Sequence, residues 1–436
     1  MERPAMTRDN NVLTAIDVGT SKVCTIIASR SNGRGLRVLG HSVVPSRGLE
    51  KGNVADVPAA EKTIRESVAA AERGAGVRVR SAIVGVAGSH VSFENRWDSL
   101  DGAGSHGVIT ADDLERAPEV AAAIAAKSGR RVIHAIPRAF SVDGKRGIRH
   151  PLGMHSKRLD VETHVVKGDS RFTDKLVAAV ERAGVNVESL VLEPLASSQA
   201  VLTNAEKEQG VVLVDIGGGT ADIVVFRNGQ IDYTAVIPVA GYQFTNDICA
   251  TYNTSYEAAE EAKLNFAHTE PHGQEAEGEL TLPVVGRTAK LKVQRRELCQ
   301  LTRERAQELA RLIRIKLLEA NSGELPNLPL VLTGGTAKLS GLKGLMQGRV
   351  SSRVRVGVPN GHIDVPDELR APDYATSVGL LLWAAAHAGP ASPENRKGEA
   401  GNGSGSLASR LFDQIQAAIG RNRVIGRITK WRVEQS

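Results

Sequence analysis

The feature that most constrains this chain is a sixteen-residue pattern that occurs twice: residues 211–226 read VVLVDIGGGTADIVVF and residues 13–28 read LTAIDVGTSKVCTIIA. In each copy a run of β-prone apolar residues ends in an aspartate, residues with little side-chain bulk follow, and a second apolar run returns. That pattern predicts a β-hairpin with a bare tip. Glycines at such a tip permit positive φ and let backbone N–H groups come close to a ligand, and a carboxylate at the strand end can hold a hydrated cation. A single copy reads equally well as a glycine-rich structural turn. Each copy is followed by a further turn signal, Ser31-Asn32-Gly33 or Arg227-Asn228-Gly229, and a third strand. Duplication of a three-strand unit implies two lobes facing each other across a cleft, with one loop on either wall.

The rest of the chain suits that plan. A length of 436 residues and 41% hydrophobic content fit a soluble protein of two to four domains. No apolar run approaches the ~20 residues that span a bilayer, so the chain is expected to stay in the cytosol. Cys24, Cys249 and Cys299 are far apart with no CxxC spacing and read as buried small residues. The first lobe takes residues 12–84, 167–206 and about 370–388, after a disordered 1–11. It holds a helix at 59–74, a strand at 79–86, a helix at 170–184, a strand at 187–192 and a helix at 195–202. Residues 85–166 read as an inserted small domain, with Thr110 capping a helix and 131–142 alternating like a strand. The second lobe takes 207–239 and 310–369, with a small subdomain at 240–309. A long helix at 293–321 mixes arginines with Glu297, Glu304 and Glu308, which reads as a solvated face and argues against nucleic acid.

Two further places carry chemistry. Glu193 stands where a strand meets a helix opened by Pro194. It is either a carboxylate that orients water or metal beside a phosphate, or an acid favoured by the helix dipole. At 328–345 a buried strand runs into Gly334-Gly335-Thr336 and then a helix, so bare backbone and a helix start face one ligand space.

The order DVGTSK, EPLAS, DIGGGTAD, TGGTAKLSG resembles the actin-like ATPase superfamily. Within it the runs VIHAIPRAFSVDG and GIRHPLGM at 132–154, EPLASSQAVL at 193–202, AEEAK at 259–263 and YATSVGLLLWA at 374–384 resemble the FtsA family of bacterial division proteins. The resemblance implies a two-lobed actin-like α/β fold of the duplicated ribonuclease H-like kind, with an inserted subdomain in the first lobe. It implies ATP and Mg2+ as ligands. One phosphate loop would be Asp17, Gly19, Thr20, Ser21 and Lys22; the other would be Asp215, Gly217, Gly218, Gly219 and Thr220. Asp17 and Asp215 would hold the metal through water, Glu193 would orient water or metal, Glu260 and Lys263 would reach the ribose, and Gly334, Gly335 and Thr336 would lie along the adenosine. It further implies actin-like filaments, docking of the FtsZ C-terminal tail on the 240–309 subdomain, contact with other division proteins, and at most slow ATP hydrolysis that serves assembly. A PilM-like assembly protein and a small-molecule kinase are the alternatives. No separate base for a phosphoryl acceptor stands out, and a chaperone would need a substrate domain after Ala385.

The tail is a separate clue. Residues 389–406 have a linker composition, and 18 such residues reach roughly 23 Å as a flexible coil. Beyond them Leu407, Leu411, Phe412, Ile415 and Ile419 form one helical stripe. Val424, Ile425, Ile428 and Trp431 then alternate with Arg421, Arg423, Arg427, Lys430 and Arg432. From Leu407 on, six Lys/Arg against two acids supply +4 of the formal +6. This predicts a kinked or double amphipathic helix lying on an anionic membrane surface, which the resemblance places on the cytoplasmic face at the division site.

Overall fold

The computed structural model describes residues 11–387 except 32–34, 101–106, 127–129, 289, 322, 324, 326 and 361–362. The expectations for residues 1–10, for the turn at Asn32-Gly33, for the linker and for every tail residue from Leu407 to Arg432 lie outside the described residues.

In lobe one, β1 (Val12–Val18), β2 (Lys22–Ser31) and β3 (Gly35–Pro45) form an antiparallel meander. The small pair β4 (Leu49–Glu50) and β5 (Asn53–Val54) leads into α1 (Val57–Ala75), and β6 (Ser81–Val86) lies parallel to β1. The Asp56 side chain accepts from the Ala59 amide and so starts α1 two residues before the position read from periodicity.

The chain then leaves the lobe to build a second sheet from β7 (Val91–Leu100), α2 (Ala111–Ala126), β8 (Arg131–Val142), β9 (Lys145–Ile148) and β10 (Leu159–Gly168). Strand order is β7-β10-β8-β9, with Leu100, Leu114, Phe140 and Leu159 in its own core. Thr110 and Asp113 cap α2 reciprocally: each main-chain N–H donates to the other's side chain, at 2.9 and 3.3 Å. The inserted unit lies two residues later at both ends than the expected 85–166. Gly85 and Val86 complete β6 in the lobe-one sheet, and β10 runs on to Gly168.

Lobe one resumes with α3 (Ser170–Arg182) and β11 (Asn186–Leu192), which pairs parallel with β6 at the sheet edge. The crossover follows as α4 (Glu193–Val201) and α5 (Asn204–Gln209). Lobe two repeats the meander in β12 (Val211–Ile216), β13 (Ala221–Arg227) and β14 (Gln230–Ile237). The β13–β14 turn puts Asn228 at φ 54° and Gly229 at φ 78°, the left-handed pair a tight hairpin needs. A small subdomain holds α6 (Gly241–Tyr252), α7 (Tyr256–Phe266), the hairpin β15 (Glu279–Pro283) with β16 (Lys290–Gln294), and the start of α8 (Arg295–Ala320). It has its own core around Ile248, Leu280 and Leu298. Then β17 (Leu330–Thr333) lies parallel to β12, and α9 (Leu342–Arg349) and β18 (Val354–Val356) finish the lobe.

The second lobe was expected to run to residue 369. Instead β19 (Ile363–Asp364) pairs parallel with β3 of lobe one, so the chain has already crossed back. A two-residue strand has no periodicity to read. The last described helix, α10 (Ala375–His387), packs on β1 and against α4.

Alternation along the lobe-two strands divides its side chains between two cores. Leu213, Val224 and Val331 face α4 and join the lobe-one core, while Val212, Val214, Ile223 and Val225 face α6, α8 and α9. The inserted unit touches both lobes. Ile133 of β8 enters the lobe-one core, Phe93 meets Tyr233 edge-on at 4.9 Å, His164 Nε2 lies 3.2 Å from Thr234 Oγ1, and Arg138 pairs with Asp232. Cys24 and Cys299 are buried, Cys249 is half-buried, and all three are free thiols. Among the described residues no helix is long and apolar enough to cross a membrane.

Candidate functional site

The two hairpin tips close in the same way. The Gly19 amide donates to the Lys22 carbonyl at 3.0 Å, and the Gly217 amide donates to the Thr220 carbonyl at 2.9 Å. Asp17 stands opposite Cys24 in the first hairpin and Asp215 opposite Asp222 in the second, so the duplicated units differ by one carboxylate. The tips meet across the cleft. A β-carbon on Gly218 would lie 2.0 Å from Ser21 Oγ, and one on Gly219 would lie 2.9 Å from Lys51 Cα, so only bare backbone fits between the lobes here.

Behind the tips is a cavity of about 470 Å³ lined by both lobes. It collects every residue singled out from sequence for the nucleotide: Asp17, Gly19 to Lys22, Glu193, Asp215, Gly217 to Thr220, Glu260, Lys263 and Gly334 to Thr336. Lys263 Nζ donates to Glu260 Oε2 at 2.7 Å and to Thr245 Oγ1 at 3.0 Å. Thr336 Oγ1 donates to the Gly217 carbonyl at 2.8 Å, tying the third loop to the second. The helix start expected directly after Gly334-Gly335-Thr336 is displaced. A 3-10 turn at Gly335–Lys338 intervenes, and α9 begins only at Leu342. Gly334 itself sits at φ 83°, with its amide donating to the Pro372 carbonyl. Lys22 is turned toward Asp373, at 3.1 Å from Oδ2, with its ammonium 3.5 Å from the Tyr374 ring centroid.

The first turn of α10 organises the carboxylates. Thr376 Oγ1 donates to Asp215 Oδ2 at 2.8 Å and Ser377 Oγ donates to Asp17 Oδ2 at 2.6 Å, so adjacent residues of one helix hold one aspartate from each lobe. Ser197 of α4 adds a third hydroxyl, 2.5 Å from Asp215 Oδ2. Burial works against these bonds. It pushes Asp17 up to about 6 despite Ser377 and Lys22, raises Asp215 despite Ser197 and Thr376, and lifts Asp222 to about 8 with help from Asp215. Glu193, half-buried at the cavity wall, is raised well above the usual carboxylate range by desolvation and by Asp17, Asp222 and Asp215. Asp222 Oδ2 accepts from Thr220, while Oδ1 is buried without a partner. Four acids thus line one cavity, which favours a cationic guest.

Sequence reasoning did not single out Thr376, Ser377 or Ser197, and it gave Asp222 no role. Asp222 carried a usable signal, as an acid one position into an otherwise apolar strand.

A duplicated meander with paired aspartate-bearing tips around an interlobe cleft defines an actin-like protein. The family model described as "Cell division protein FtsA" matches residues 212–379, and "SHS2 domain inserted in FTSA" matches residues 88–167. Cell division protein FtsA of Pseudomonas aeruginosa is 36% identical over 386 residues, covering 87% of this chain and 90% of that protein. That of Escherichia coli K12 is 31% identical over 382 residues, covering 86% and 90%. A solved PilM-PilN type IV pilus biogenesis complex is similar in fold, with a TM-score of 0.62 at 18% identity, covering 87% of this chain and 99% of that one. The chain belongs to the FtsA family of cell division proteins.

Proposed function

We propose that this chain is an ATP-binding, filament-forming adaptor that carries the FtsZ division ring on the cytoplasmic face of the membrane. The observation that carries the nucleotide part is the grip of one helix turn on both hairpin aspartates. The residues fit a Mg-bound phosphate chain: two bare tips offer main-chain N–H groups, and the nearby acids are hard oxygen donors with Asp222 Oδ1 unpaired. Among the described residues no three acidic, His or Cys side chains could hold an ion directly, which suits a hydrated cation held through water by Asp17 and Asp215. Such an ion would supply charge neutralisation at the phosphates. Glu193 would orient water there, Glu260 and Lys263 would meet the ribose, and Gly334 to Thr336 would flank the base.

The small subdomain supports a peptide partner, the FtsZ C-terminal tail. Phe266 of α7 is 37% exposed, and Val285 and Leu291 are exposed in the same subdomain. The segment after Ser406 supports a membrane surface as the second partner. Each basic residue there is worth ~1 kcal/mol near an anionic leaflet, so a monomer binds reversibly and a filament holds by avidity. Full-length protein with ATP and Mg2+ is expected to sediment with anionic liposomes, and a chain ending at Ser406 is expected to stay in the supernatant. Full-length protein that remains off the vesicles overturns the adaptor reading.

A further inference from the structure

We propose that His134 of the inserted unit is a positioning residue for Glu193, acting through the main chain of Leu192. This rests on the reading of the cleft as a nucleotide site.

The Leu192 amide is the last of β11, an edge strand, and Leu192 is also the N-cap of α4, whose own N–H lies outside the helix ladder. Neither the sheet nor the helix supplies an acceptor. His134 Nε2 does so at 2.9 Å. A backbone N–H only donates, so Nε2 is the bare nitrogen and the ring proton sits on Nδ1. The ring is 3% exposed, and burial together with His387 pushes it down to about 3, which keeps it neutral and able to accept.

Three bodies meet at this bond. β8, which carries His134, is anchored to lobe two by Arg138 four residues further on, through the pair with Asp232. The ring packs against Trp383 of α10 at 5.1 Å between centroids, and Trp383 in turn stacks on His387 at 4.3 Å. The held peptide is Val191–Leu192, one residue before Glu193, which lines the cavity. A shift of the inserted unit against lobe one, or of the end of α10, therefore moves the peptide from which Leu192 leads into Glu193. An ångström-scale misplacement of an orienting group is enough to cost one to two decades in rate.

The test uses the full-length chain and two variants. His134→Phe keeps the aromatic contact with Trp383 and removes the acceptor, whereas His134→Gln returns an acceptor near the place of Nε2. Three quantities are read: the Kd for ATP, the single-turnover rate of phosphate release from bound ATP, and hydrogen exchange at the Leu192 amide. In His134→Phe the turnover is expected to fall about tenfold with Kd within about twofold, and the Leu192 amide loses protection. His134→Gln is expected to recover both to within about threefold. Unchanged turnover in His134→Phe, or His134→Gln as slow as His134→Phe, overturns the assignment. A 15N spectrum of the wild-type imidazole decides the bond even if a variant fails to fold, since a protonated Nε2 excludes it. Wild-type protein that binds no ATP overturns the functional reading of the cleft. Wild-type binding with undisturbed turnover in His134→Phe overturns only the role given to His134.

Discussion

Replacing Gly379 with alanine is expected to cost the protein about 3 kcal/mol or more and to lower soluble yield and melting temperature together. Gly379 lies in α10, where a β-carbon would fall 1.9 Å from the Ala196 carbonyl oxygen and 2.3 Å from its carbon. Both are main-chain atoms of α4, so no rotamer change relieves the contact and the helices must separate. Alanine gains up to ~1 kcal/mol of helix propensity over glycine, which is too little to offset that separation. Because the clash is with backbone, Ala196→Gly in the same chain is expected to give no rescue. The displaced α10 also carries Thr376 and Ser377, so the surviving protein loses its hold on Asp17 and Asp215. A melting temperature within about 2 °C of wild type would show that the two helices are not in close backbone contact.

Asp222→Asn is expected to stabilise the ligand-free protein, with a pH dependence of defined sign. Burial lifts the Asp222 carboxyl from its ordinary 3.8 to about 8 in the folded chain. Between those values the unfolded chain has released the proton and the folded chain retains it. Wild-type stability therefore falls as pH rises through that window, by up to ~1.4 kcal/mol per unit, and levels off above pH 8. Asparagine carries no such charge. The melting-temperature gap between variant and wild type should widen from pH 5 to pH 8 and stay constant beyond. The same variant should weaken Mg-nucleotide binding, since it removes an acid whose Oδ1 has no protein partner. A gap that is flat with pH would mean that Asp222 is ionised in the folded chain at neutral pH.

The parts of the site that were legible in the sequence are those made by neighbours in the chain. A hairpin tip is closed by residues three apart, as in Gly19 with Lys22 and Gly217 with Thr220, so composition and alternation suffice to find it. Glu193 was legible because a strand end and a proline-opened helix flank it. What α10 does was not legible. Ser377 reaches an aspartate 360 residues earlier in the chain, and the run YATSVGLLLWA carried a family resemblance but nothing local that pairs its hydroxyls with Asp17 or Asp215. His134 was hidden for a similar reason. It sits in an alternating strand of the inserted unit, and its partners, the Leu192 amide and the Trp383 ring, come from β11 and α10 far along the chain.

The chain passes between the lobes at two separate places, once through α4 and α5 and once between β18 and β19. Two covalent crossings act as a pair of door hinges. Rotation about the line through them is soft, whereas sliding, shearing or twisting about any other line pulls on backbone at one crossing or the other. The inserted unit, held to lobe two through Arg138 with Asp232 and Phe93 against Tyr233, sets how far the angle of that rotation can open. Whatever closes on the cleft sets that angle, and whatever grips the outer ends of both lobes meets it as a lever arm, where a small turn at the hinge line becomes a large stroke at the rim.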